Sequence, residues 1–74
     1  MLKKDELRDK NSCLNKAAND EPVFVLRAQD LLAPKVINFW CQLAGSAGTS
    51  AEKIAEARRL IQLMEQWHTR KQPD

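Results

Sequence analysis

Large apolar side chains crowd into residues 21–45, EPVFVLRAQDLLAPKVINFWCQLAG, where two different patterns succeed one another. Val23, Phe24, Val25 and Leu26 form an unbroken apolar run, β-branched or aromatic in the main, with the turn-forming residues Asn19, Asp20 and Pro22 before it. That pattern predicts a short strand buried on both faces, inside an extended segment over residues 22–27. Beyond Asp30 the spacing becomes helical. Leu32, Ala33, Val36, Ile37, Phe39, Trp40, Leu43 and Ala44 share an arc of roughly 160°, and Cys41 widens it to about 200°. The prediction is a helix over residues 31–44, capped by Asp30, with Pro34 in its first turn or at its start, and with Gly45 as the left-handed residue that ends it. An arc so wide needs two partners rather than one.

A second helical pattern follows the loop GSAG at residues 45–48. Thr49 with Glu52 three residues on is the signature of a capping box. From there the sequence reads as helix to about residue 69, about 30 Å long, with Ile54, Ala57, Leu60, Ile61, Met64 and Trp67 as its apolar stripe and Leu63 on the flank. Residues 71–74 are expected to fray from its end. A short loop between two amphipathic helices predicts an antiparallel hairpin. The fold class expected is therefore mainly α, an antiparallel helical hairpin with a short extended N-terminal segment. In it Val36 and Leu43 meet the early part of the second helix. Leu63, Met64 and Trp67 overhang the first helix, and residues 23–26 supply their cover.

Residues 1–20 are polar and charge-balanced, and after Met1 their large apolar residues are Leu2, Leu7 and Leu14. They read as a flexible arm, helical at most in a frayed turn with Glu6 and Lys10 paired, while Ser12 caps one short turn that lets Leu14 dock on the core. Residues 21–74 then form the single helical-hairpin domain. A chain of 74 residues is near the lower limit for a self-sufficient core. The usual remedies are disulfides, a metal or oligomerisation. Cys13 and Cys41 are far apart with no CxxC pair, and His68 is the single histidine, so zinc lacks its clustered ligands and oligomerisation is the remedy expected. No signal peptide or membrane span is recognisable, which predicts a cytoplasmic protein with two reduced thiols, a Cys13–Cys41 disulfide being the alternative, and no membrane partner.

The phrase DEPVFVLRAQDLLAP, residues 20–34, followed by a Trp-containing helix and by KIAEARRLIQLMEQW, residues 53–67, resembles small uncharacterised proteins encoded by bacteriophages and prophages. The resemblance covers about three quarters of the chain and brings no activity with it. What it implies is a bacterial setting in which small proteins work by binding a host or phage protein.

Nothing in the chain assembles into catalytic chemistry. His68 lacks a nucleophile and an orienting group at any telling spacing. Cys41 reads as a small core filler and Cys13, beside Lys10 and Lys16, as the more exposed thiol. Glu52 and Glu56 stand one helical turn apart without further ligands, the pattern of a solvated helix face. The expectation is a protein that is no enzyme and carries no cofactor or metal. The net charge of +2 comes from twelve basic and ten acidic side chains spread along the chain, so it implies no nucleic-acid partner by itself. Helix, loop, helix is nevertheless the outline of a helix-turn-helix, and Lys53, Arg58, Arg59, Arg70 and Lys71 lie on or after the second helix. Against DNA binding, Glu52 and Glu56 occupy the turns that would face the bases. The function expected is a homodimeric protein-interaction module, with DNA binding as the alternative. Ile37, Trp40, Leu63 and Trp67 are the interface candidates, serving a second copy of the chain and an unidentified protein.

Overall fold

The computed structural model describes residues 1–73 and is mainly helical. Among the described residues four helices follow in order: α1 (Lys3–Arg8), α2 (Cys13–Lys16), α3 (Ala33–Ser46) and α4 (Ala51–Glu65). The two long ones, α3 and α4, pack against each other as the expected hairpin. Their contact stripe is built from small residues. Ala33, Pro34, Cys41 and Ala44 are buried on α3 and Ala57 and Met64 on α4, with Ile37, Ile54, Leu60 and Ile61 half-buried. Among the described residues no leucine, isoleucine or aromatic side chain is fully buried.

The ends of the helices fall where local chemistry puts them, and several differ from the sequence reading. Asp30 accepts from the Leu32 amide (2.8 Å), an Asx-type turn, so α3 begins at Ala33 with Pro34 in its first turn. Gly45 does not end the helix; it lies inside α3, and the position of its missing Cβ is 4.0 Å from Ile54 Cδ1. The left-handed residue is Gly48, at φ 85°. The Gly48 amide donates to Gly45 O (3.3 Å) and the Thr49 amide to Ala44 O (2.9 Å), the paired bonds of a Schellman motif. The expected capping box is overturned by the same bonds. Thr49's amide is already used by α3, and Ser50 caps α4 by accepting from the Lys53 amide (3.3 Å).

At the other end α4 stops at Glu65 rather than near residue 69. The chain turns back through Gln66 and Trp67, where the Trp67 amide donates to Met64 O (3.1 Å), and Arg70 donates from Nη1 to the same carbonyl (2.8 Å). Lys71 then pairs in parallel with Asp30: its amide donates to Gln29 O (2.7 Å), and the Leu31 amide donates to Lys71 O (2.9 Å). The tail is thereby tied to the foot of α3 where fraying was expected. Asp74 lies outside the described residues.

Residues 23–26 do not form the buried strand. They belong to no ladder, and Val23, Phe24 and Val25 are 57%, 85% and 71% exposed. The overhang they were to cover is removed by the turn at Gln66. Leu60, at the edge of the α3 contact, and Leu63 line a shallow hollow with Met1 and Leu2. Within the first twenty residues Ser12 caps α2 as expected, accepting from the Asn15 amide (3.1 Å). Its hydroxyl donates to Glu6 O, and the Asn15 side-chain amide donates to the carbonyls of Glu6, Leu7 and Asp9, so α2 closes the C-terminal end of α1. Leu14 remains exposed instead of docking on the core.

Candidate protein-interaction surface

The wide apolar arc of α3 is divided in two by the packing. Ala33, Ile37, Cys41 and Ala44 face α4, while the other half of the arc is open: Leu32 is 45% exposed, Val36 48%, Phe39 60% and Leu43 55%. At 100° per residue these four fall within about 60° of one another, and their centre lies roughly 120° from the core stripe. Val36 and Leu43 were expected against the early part of α4. The helix is instead rotated so that Cys41 and Ala44 take that place, because small side chains permit closer approach of the two backbones. Trp40, 40% exposed, stands between the open face and the core stripe.

The four sequence-derived interface candidates do not form one stripe. Ile37 is half-buried in the α3–α4 stripe and Trp40 is one turn away on its exposed edge. Leu63 is half-exposed and lines the hollow that holds Met1 and Leu2. Trp67 lies past the end of α4, half-exposed, with its ring centroid 4.7 Å from that of His68. Leu32, Val36, Phe39 and Leu43 form the coherent open face, although periodicity alone assigns them to the core. Their 4-3-4 spacing is visible in the sequence; which half of the arc α4 occupies is not.

The total accessible area is 6126 Å², against roughly 4,650 Å² expected for a folded monomeric protein of this mass. The Cα radius of gyration, 13.0 Å, likewise exceeds the roughly 11 Å expected for this length. The excess area, about 1,500 Å², is larger than the roughly 800 Å² that one chain contributes to an interface of standard size. Residues 23–25 and the open face of α3 both contribute exposed apolar side chains to it.

The other candidates stay apart. Cys41 is buried and Cys13 exposed, and neither is in a disulfide. Glu52 and Glu56 are exposed on α4, and no cluster of three potential metal ligands occurs among the described residues. Arg58, one of the basic residues a DNA-binding reading needs, donates to Asn38 Oδ1 (3.1 Å) across the hairpin, and Arg70 is turned to the carbonyls of Met64 and Asp30. No helix among the described residues is long and apolar enough to cross a membrane. Comparison of the chain with protein-family models, with curated proteins and with solved structures finds no match.

Proposed function

We propose that the chain is a small protein-interaction module that works as a homodimer through the open face of α3. The observation that carries this reading is the stripe of Leu32, Val36, Phe39 and Leu43, each 45–60% exposed on a helix whose opposite side already packs on α4. Isolated exposed apolar residues are ordinary, but a contiguous row of four on one helix face marks an association site. The resemblance to phage- and prophage-encoded proteins extends the proposal to a host or phage protein as the target of the assembled module. DNA binding is the weaker reading, since Arg58 and Arg70 make hydrogen bonds within the fold and Glu52 stands in the first turn of α4.

The test is light scattering after size exclusion. The unmodified chain should give twice the 8.5 kDa chain mass, and Phe39→Glu should return it to the chain mass with its helical circular dichroism retained. A Phe39→Glu protein that still doubles would remove α3 from the proposal.

A further inference from the structure

Resting on the reading of α3 as an association face, we infer that its partner is a second copy of α3, running antiparallel across a twofold axis that passes between Val36 and Phe39. The stripe itself points to this register. Leu32, Val36, Phe39 and Leu43 are separated by four, three and four residues, so the row reads the same from either end. In heptad terms they are successive d, a, d and a positions, and antiparallel helices pack a against d. Under a perpendicular twofold axis Val36 then meets the partner's Phe39, and Leu32 meets the partner's Leu43. Every apolar residue of the row acquires a different apolar partner, with large opposite small at the centre. That is the self-complementarity an isologous interface requires.

Charge and dipole agree with this arrangement. Lys35 is the sole charged side chain of α3; it flanks the row, and in this register it lies beside the partner's Gln42 rather than beside its own copy. Antiparallel helices also set opposite ends of their dipoles together, whereas a parallel pair would align like ends. Trp40, at the rim, would extend the contact over the N-terminal turn of the partner helix.

Two pairs of variants test the register. Val36→Glu and Phe39→Lys each place a charge on an apolar partner and should leave the single proteins at the chain mass. Mixed in equal amounts they should form a heterodimer, since the antiparallel register brings the new carboxylate of one chain to the new ammonium of the other. A parallel register brings neither charge to its counterpart and predicts no heterodimer. The second pair does not depend on monomers that remain folded. In a Cys13→Ser background, Leu32→Cys and Leu43→Cys proteins mixed together should join through a short bismaleimide, while Leu32→Cys alone should not, because its two copies would lie about 16 Å apart along the axis. Self-linking of Leu32→Cys, or a mixture that fails to join, overturns the register while leaving the α3 face in place. Charge variants that both remain dimeric overturn the face as well. A monomeric unmodified chain overturns the second copy as occupant and leaves the face to a different protein.

Discussion

Arg70 Nη1 donates to the carbonyl of Met64 at 2.8 Å, beside the Trp67 amide that closes the last turn of α4 on the same oxygen (3.1 Å). The same guanidinium reaches Asp30 O (3.5 Å) through Nη2, so one side chain joins the end of the second helix to the approach of the first. Its Nε is buried without a hydrogen-bond partner, which offsets part of the gain. Arg70→Ala should therefore destabilise the fold by about 1–2 kcal/mol and release residues 66–73 to proteolysis. Arg70→Lys, which lacks the planar fork, should restore less than half of the loss. Urea unfolding of the three proteins in parallel gives the comparison, and an unchanged midpoint for Arg70→Ala would mean that the tail is held by the Lys71 and Asp30 pairing alone.

The start of α4 provides a sharper contrast. Ser50 accepts from the Lys53 amide and Thr49 caps nothing. Ser50→Ala should cost about 1 kcal/mol and Thr49→Ala only a few tenths. The opposite order of losses would restore the capping box at Thr49 and move the helix start by one residue.

The two glycines of the hairpin should respond in opposite directions. Gly48 at φ 85° occupies a conformation that an L side chain adopts with strain, so Gly48→Ala should destabilise by about 1–2 kcal/mol. Gly45 is helical, with only ordinary contact to Ile54 awaiting a new methyl group, so Gly45→Ala should stabilise by about 0.5–1 kcal/mol. Thermal melts of the two variants decide it, and a stabilising Gly48→Ala would contradict the Schellman geometry.

Thiol labelling examines the core directly. Cys41 is 2% exposed and is the largest side chain fully enclosed, whereas Cys13 is exposed. One thiol per chain should react under native conditions and two after denaturation. Prompt reaction of Cys41 in the native protein would contradict the α3–α4 packing.

How far the fold could be read beforehand varies with the locality of the cause. The two helices and the Ser12 cap follow from spacing and capping within a few residues, and these were legible, whereas the loop expected over residues 45–48 lies at residues 47–50. Choosing between Gly45 and Gly48, or between Thr49 and Ser50, required knowing which carbonyls of α3 were still free, a question that periodicity does not address. The antiparallel hairpin was legible for the same reason as its helices, but the rotation of α3 was not. A 200° arc contains two possible contact stripes, and the choice fell on the one with alanine and cysteine because those side chains let the backbones approach. Residues 23–26 misled because an apolar β-branched run signals burial only if something is available to bury it. Here the tail, returning to pair with Asp30, took the foot of α3.

If a core of small residues is completed by a second chain on the open face of α3, folding and dimerisation are coupled. The most direct measurement is the urea unfolding midpoint of the unmodified protein as a function of protein concentration. Coupling predicts a midpoint that rises with concentration, by the equivalent of about 1.4 kcal/mol per mole of dimer for each tenfold increase, and a Phe39→Glu protein whose midpoint is lower and independent of concentration. A midpoint that stays constant across a hundredfold range in the unmodified protein, and is the same in Phe39→Glu, would contradict it.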